Sequence, residues 1–168
     1  MNRPKPEEST THFRKYIDTV SDNVIGELEH QAIALPRFLN SISEEKSCFA
    51  YAEGKWTIKE LIGHTIDTER IMAYRILCFS RNDQTPLPGF DENKFVENAY
   101  FNDRTIASLA EEFALLRKAN MFIVKSLTET QMNRTGPANG NTISVRALVY
   151  VLAGHVNHHK AILEERYL

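Results

Sequence analysis

Residues 145–167 read VRALVYVLAGHVNHHKAILEERY, and their apolar side chains recur with the period of an α-helix. Ser144 stands immediately before this run and can cap its first turn by accepting a backbone N–H. At about 100° per residue, one face of the helix collects apolar side chains together with two histidines. The residues on this face are Leu148, Leu152, His155, His159, Ile162 and Leu163. The segment therefore predicts a long amphipathic helix whose buried face contains two imidazoles.

Three earlier segments show the same helical period. Ser21 or Asp22 is in position to cap the first of them. Thr57 and Glu60 have the spacing of a capping box directly before an apolar run, so a second helix should begin at residue 58. The four predicted helices extend over about residues 24–42, 58–81, 105–127 and 145–167.

Gly and Pro cluster in the connections between these helices, and no segment shows the alternating pattern of a β-strand. The connection between the second and third helices is long, contains a short helical piece around residues 91–99, and would permit a crossover. The polar, Pro-containing residues 1–20 are expected to form an N-terminal arm or a frayed terminus. The sequence thus predicts an all-α protein, with residues 21–168 folded as a four-helix bundle.

The composition excludes several classes of protein. The chain has 168 residues, 42% of them apolar and 25% charged, as expected for one globular domain. Its formal net charge of -2 gives no basic field for nucleic acid. No apolar run approaches the roughly 20 residues that span a bilayer, and residues 1–8 lack the apolar stretch of a secretory signal. Cys48 and Cys78 form no CxxC pair. We therefore expect a cytoplasmic protein that binds neither nucleic acid nor membrane.

The histidines are candidate metal ligands. His155 and His159 are spaced i and i+4, so both rings can reach one divalent ion, and His64 could add a third ligand from a facing helix. Three protein ligands are typical of catalytic sites, because they leave a position for water or substrate. The alternative is a set of core histidines hydrogen-bonded to their neighbours. His158 lies one residue off the buried face, which favours a supporting or surface position.

Three charged residues are further candidates. Glu69 falls on the inner face of the second helix and Arg117 on the inner face of the third. Because a buried charge needs a partner, the two could form a structural ion pair. Alternatively, one of them faces the metal and binds an anionic part of the substrate. Asp67, one turn beyond His64, is either a general base or a solvated surface carboxylate.

Four stretches of the sequence carry a resemblance to a known family. They are GKWTIKELIGH at 54–64, Glu69-Arg70, LPGFD at 87–91 and GHVNHH at 154–159. Together they resemble the DinB/YfiT-like superfamily over about residues 20–168. The most specific part is a Trp followed eight residues later by His, combined with the closing HxxHH.

This resemblance implies a four-helix bundle, often dimeric, with a nickel, zinc or similar divalent ion bound by His64, His155 and His159. Characterised relatives in the superfamily include bacillithiol S-transferases and a mycothiol-dependent maleylpyruvate isomerase, while many others are described as metal-dependent hydrolases. The resemblance therefore implies a homodimer that acts on a small-molecule substrate, with a low-molecular-weight thiol as a possible co-substrate.

Three functions are consistent with the sequence. The first is S-transfer, in which the metal lowers the pKa of a small thiol and creates the attacking thiolate. The second is metal-dependent hydrolysis, with Glu69 or Asp67 as general base for water. The third is a metal-stabilised interaction or stress-response module without catalysis. A module of that kind would need a fourth protein ligand, such as His158 or Asp67, to close the site.

Overall fold

The structure is a computed structural model that describes residues 1–168. It contains eight α-helices, two short β-strands and two 3₁₀ turns. The helices are α1 (Thr11–Ile17), α2 (Val24–Leu39), α3 (Glu44–Ser47), α4 (Ile58–Ser80), α5 (Glu92–Ala99), α6 (Ile106–Ser126), α7 (Glu129–Met132) and α8 (Val145–Arg166). The strands are β1 (Thr135–Ala138) and β2 (Asn141–Ser144), and the 3₁₀ turns span Pro6–Glu8 and Phe101–Asp103.

The four long helices α2, α4, α6 and α8 form a bundle, which confirms the predicted fold class. Helix α2 packs against α6 and α8, and α4 packs against the same two helices. Consecutive bundle helices α2 and α4 therefore lie diagonally opposite each other. The long connection between α4 and α6, which includes α5, joins two neighbours. None of the helices is long and apolar enough to cross a membrane.

Side-chain caps set where the bundle helices begin. The predicted capping box is confirmed: Thr57 Oγ1 accepts from the Glu60 backbone N–H at 3.1 Å, and Glu60 accepts from the Thr57 N–H at 2.8 Å. Ser144 caps α8 as predicted. The predicted cap of α2 is wrong, because Asn23 fills that position and its Oδ1 accepts from the Gly26 N–H at 3.1 Å. The chain at Ser21 is instead held by Glu27, which accepts the Ser21 N–H.

A β-hairpin lies where we expected an irregular loop, so the prediction of a chain without strands is wrong. Strands β1 and β2 pair antiparallel and are only four residues each. Asn139 and Gly140 connect them with φ values of 50° and 72°, the backbone of a two-residue hairpin turn. Leu87 extends the hairpin, donating its N–H to Pro137 and accepting the Asn139 N–H. This pairing fixes the loop after α4 beside the hairpin.

The core consists of two apolar clusters with a buried polar layer between them. One cluster includes Leu28, Met72 and Val124, and the other includes Leu35, Ile66 and Phe113. On each of α2, α4 and α6, a polar residue lies between the members of the two clusters. These residues are Gln31, Glu69 and Arg117, with relative exposures of 6%, 2% and 0%. Because they stand at the same level of three helices, their side chains can reach one another inside the bundle.

The N-terminal segment lies against the last helix. Tyr16 and Ile17 of α1 are buried, and α1 packs on α8. The two backbones approach so closely at Gly154 that a Cβ atom there would collide with the Tyr16 carbonyl. Residues 1–20 thus cover part of the α8 surface. The boundary we placed between the arm and the bundle at residue 20 stays a prediction.

Candidate metal centre

Three histidines from two helices converge in the bundle. His64 projects from α4, and His155 and His159 project from α8. Nε2 of His155 lies 3.2 Å from Nε2 of His64 and 3.0 Å from Nε2 of His159. Each of the three residues has a relative exposure below 10% (8%, 6% and 9%, respectively). The structure therefore brings together the three residues that the sequence analysis selected.

Burial keeps these imidazoles neutral at physiological pH. Desolvation lowers the pKa of His64 to about 4 and that of His159 to about 3. Desolvation also holds the pKa of His155 well below its usual value, and the neighbouring histidines add to this effect. Neutral imidazole is the form that coordinates a metal ion.

The donor set fits a divalent ion. Adjacent nitrogen ligands around a tetrahedral ion, with bonds of roughly 2.0–2.1 Å, lie about 3.3–3.4 Å apart. The two short Nε2 separations are close to this value, and all three ligand atoms lie within 4.8 Å of one another. Nε2 of His155 carries either one hydrogen or one lone pair, so it can form a hydrogen bond with only one of its two imidazole neighbours. These contacts favour a metal centre over a set of hydrogen-bonded core histidines.

The three histidines lie on the floor of a cleft of about 440 Å³. The Trp56 ring packs against His64 with 4.8 Å between centroids, and Tyr16 meets His155 edge-on at 5.3 Å. Residues from α1, α4, α8, the loop before α5 and the hairpin form the walls. The position left open by three protein ligands therefore faces a cavity large enough for a small molecule.

No fourth side chain completes the cluster. The group of possible ligands contains only the three histidines. Asp67 is half-buried, lies 3.8 Å from Arg70 and does not line the cleft; desolvation raises its carboxyl pKa. His158 is also half-buried, and its ring packs against Tyr16 and His159. A closed structural site, which the interaction-module hypothesis requires, therefore has no fourth ligand among these residues.

Glu69 and Arg117 meet each other rather than the cleft. Arg117 donates to both carboxylate oxygens of Glu69, at 2.8 Å from Nε and 2.7 Å from Nη2. It also donates to Gln31 at 2.7 Å and to the Leu152 carbonyl at 3.2 Å. Asn120 donates to Glu69 at 3.0 Å. This arrangement is the structural ion pair considered above, and neither charged residue is among those that line the cleft.

The cleft also contains residues that the sequence analysis did not select. Lys15 and Glu92 lie in segments predicted as an arm and a connection, where no pattern shows which way a side chain points. The helical period of the sequence could have identified Arg75. It follows His64, Thr68 and Met72 on one face of α4, and all four line the cleft.

The fold and the cluster together define a class: a helical bundle with three convergent imidazoles on the floor of a cleft. Comparison with known proteins places the chain within a family. The profile described as the DinB superfamily matches residues 27–163, and the chain belongs to this superfamily. The resemblance stated from the sequence is thereby confirmed.

Individual relatives support the same assignment. A protein of Oceanobacillus iheyensis, provisionally named a metal-dependent hydrolase, is 30% identical over 140 residues, covering 80% of this chain and 78% of that protein. A second protein of that organism, named in the same way, is 28% identical over 149 residues, covering 84% and 85%. The solved structure of YfiT from Bacillus subtilis, described as an unusual four-helix bundle topology, matches with a TM-score of 0.69. The match covers 96% of this chain and 89% of YfiT at 19% identity, and so concerns the fold alone.

Acidification of the metal-free protein is expected to lower its free energy of unfolding. The folded-state pKa values of His64 and His159 lie below 6.5, so the unfolded chain binds more protons as pH falls below that value. Stability from the neutral rings is fully present above pH 6.5 and is lost as pH falls, to about pH 4 for His64 and about pH 3 for His159, by up to about 1.4 kcal/mol per pH unit for each ring. Urea unfolding in the presence of a chelator measures this slope. His64→Ala should make the dependence of the free energy of unfolding on pH less steep, and His30→Ala, a change at an exposed site, should not. Equal slopes in these two variants and the unchanged protein would contradict the prediction.

Proposed function

We propose that this protein is a metal-dependent hydrolase whose active centre is the cluster of His64, His155 and His159. One observation carries the proposal: three buried, neutral imidazoles converge on the floor of a cleft with no fourth protein ligand. The names of the curated relatives support it, since two that match over at least 78% of their length are provisionally called metal-dependent hydrolases.

The three histidines would hold a divalent ion through their Nε2 atoms, which face one another. When bound, such an ion lowers the pKa of a coordinated water or thiol and polarises a carbonyl group. Trp56 and Tyr16 pack against the ligand rings and restrict their orientation. Imidazole ligands suit zinc and nickel alike, so the identity of the metal stays a prediction. The homodimer expected from the resemblance also stays a prediction. Elemental analysis and sedimentation of the purified protein test them.

A hydrolase needs a general base, and the structure points to a carboxylate other than the two proposed from the sequence. Glu92 is the carboxylate that lines the cleft, and its charge raises the pKa of His64 against the effect of burial. Glu69 is engaged by Arg117, and Asp67 lies outside the cleft lining. We therefore assign the general-base role in this proposal to Glu92. A positioned base typically contributes about 100-fold or more to the rate.

S-transfer is the second candidate, and the absence of a carboxylate from the histidine cluster favours it. Glu92 is exposed, and the cluster itself contains no carboxylate that could hold an attacking water in place. A thiol needs less help, because coordination alone can lower its pKa enough to form the reactive thiolate near neutral pH. The cleft is large enough for such a co-substrate.

One set of assays separates the two reactions. Protein loaded with zinc, nickel or cobalt is given ester and amide substrates, or monochlorobimane with bacillithiol, mycothiol or glutathione. Hydrolysis predicts ester or amide turnover that thiols inhibit, no bimane conjugate, and a kcat about 100-fold lower in Glu92→Gln. S-transfer predicts conjugate formation that Glu92→Gln leaves unchanged. Turnover that persists in His155→Ala at the level of the His30→Ala control would contradict both.

A further inference from the structure

Arg75 is buried in the cleft wall without a carboxylate partner. Its relative exposure is 3%, and it lines the same cleft as the three histidines. Its guanidinium donates to the Pro88 carbonyl at 2.8 Å and to the sulfur of Met72 at 3.7 Å. No acidic side chain lies within ion-pair distance of it. Burial lowers the pKa of Arg75, and no nearby carboxylate opposes this effect.

Another buried arginine of the bundle, Arg117, shows what such a charge normally requires. Arg117 makes two charge-assisted hydrogen bonds to Glu69 and further bonds to Gln31 and Leu152. A guanidinium has five N–H groups, and Arg75 engages one carbonyl and one weak sulfur acceptor. Because an uncompensated buried charge is costly, the free donors of Arg75 call for an anion that the protein itself does not supply.

A second unpartnered group lies between Arg75 and the metal centre. Thr68 lines the cleft and is 4% exposed, and its Oγ1 has no hydrogen-bond partner. His64, Thr68 and Arg75 follow one another along the same face of α4. About 16 Å of helix separates His64 from Arg75. The Arg75 side chain leans back toward His64, because it reaches Met72 one turn earlier. A molecule lying along α4 could therefore contact all three side chains.

We propose that Arg75 binds an anionic group, a carboxylate or a phosphate, of the molecule whose reacting end lies at the three-histidine centre. The inference rests on the proposed metal centre, but it holds for hydrolysis and for S-transfer alike. It assigns a substrate class: an elongated molecule with an anion at one end and the reacting group roughly 10–16 Å away.

The other charges around the cleft are compatible with this orientation. Lys15 of α1 adds a second cation to the lining. The charge of Glu92 raises the pKa of His64 and that of His12, whereas burial alone shifts the pKa of Arg75. The negative charge of Glu92 therefore lies near the reacting end of the bound molecule. Arg75 also borders a shallower groove on the other side of the loop at Pro88 and Gly89. The probe must therefore report whether the anion lies on the cleft side.

Thiols that carry an anion at the far end provide such a probe. In cobalt-loaded protein, a sulfur-to-cobalt absorption band reports the thiol end, and its titration gives the affinity. Mercaptohexanoate, mercaptooctanoate and mercaptoundecanoate are compared with the mercaptoalcohols of the same length. One of the longer carboxylates should bind about 10-fold to 100-fold more tightly than its alcohol, the range expected for charge-assisted hydrogen bonds. Mercaptoalkylphosphonates of matched length show whether carboxylate or phosphate is preferred.

Variants assign this preference to Arg75. Arg75→Met should abolish the advantage of the anion while leaving alcohol binding unchanged, and Arg75→Lys should keep part of it. Arg70→Met is the matched control, because Arg70 lies on the same helix, pairs with Glu112 and does not line the cleft. The melting temperature of Arg75→Met should be unchanged or higher, since the substitution removes an unpaired buried charge. An anion preference that persists in Arg75→Met, or that is absent at every chain length, would overturn the proposal.

An NMR measurement separates failure of the metal centre from failure of this inference. In metal-free protein, octanoate or octylphosphonate should shift the Arg75 Nε–H resonance, which is assigned by its loss in Arg75→Met. A shift without any cobalt–sulfur band would leave anion binding intact and refute the metal centre. A cobalt–sulfur band with no Arg75 shift for either anion would refute the inference and retain the metal centre. If the affinity for the anion did not depend on chain length, the anion would lie in the outer groove, and the inference would also be refuted.

Discussion

Replacing Arg117 by Met is expected to lower the free energy of unfolding by about 3–5 kcal/mol, because it leaves Glu69 as an uncompensated charge in the core. Both side chains are at most 2% exposed, so water cannot replace the lost partner. The two charge-assisted bonds from Arg117 to Glu69 would both disappear. Denaturant unfolding of the metal-free variant, monitored by circular dichroism, measures the loss.

Removing both charges should cost less than removing one. In Glu69→Leu with Arg117→Met, the core holds two apolar side chains in place of an ion pair, and such replacements are often neutral. Recovery will be incomplete, since Gln31 and Asn120 also lose acceptors or donors. An exposed pair provides the control: Lys125→Met, which breaks the contact with Glu29, should cost less than about 1 kcal/mol. If the effects of the two core substitutions simply add, the residues are not coupled.

His155→Ala or His159→Ala should remove most of the bound metal. Loss of one of three ligands is expected to weaken metal affinity by more than about 100-fold, the upper range for changes outside the ligand set. The metal-loaded protein should also lose thermal stability, because an ion present at about 1,000 times its Kd stabilises the fold by about 4 kcal/mol. Elemental analysis after gel filtration and thermal unfolding measure the two effects.

Two other histidines serve as matched controls. His158 is next to a proposed ligand but packs its ring against Tyr16, and His30 is exposed on α2. His158→Ala should reduce metal content much less than His155→Ala, and His30→Ala should leave it unchanged. If the variants His155→Ala, His159→Ala, His158→Ala and His30→Ala all had the same metal content, the ion would be bound elsewhere.

The sequence was sufficient for the features that follow from helical periodicity. The capping box at Thr57 and the cap at Ser144 placed the starts of α4 and α8, since each combines a polar cap with a following apolar period. The spacing of His155 and His159 put both rings on one face, and the apolar stripe of α4 pointed His64 toward them. These are properties of one helix at a time, which is why a single sequence reveals them.

Several features that depend on how segments meet were not predicted. Asn139-Gly140 is a hairpin signal, but strands of four residues with Pro137 in one of them show no alternation. Arg75 shares a helix face with His64, but only the packed structure shows that no acidic side chain approaches it. Glu92 was not predicted for a similar reason. It is the first residue of a short helix in a connection, and the sequence does not show that this helix lies beside the cleft.

The buried polar layer has a consequence for how the two helices that carry the three-histidine cluster stay aligned. Glu69 follows His64 by five positions on α4, and the Leu152 carbonyl that Arg117 contacts lies three positions before His155 on α8. If either helix slid by one turn, about 5.4 Å, the guanidinium would lose its partners inside the core, at a cost of several kcal/mol. The layer therefore fixes the positions of α4 and α8 along the bundle axis. A side chain that never touches the cleft sets the height at which His64 faces His155.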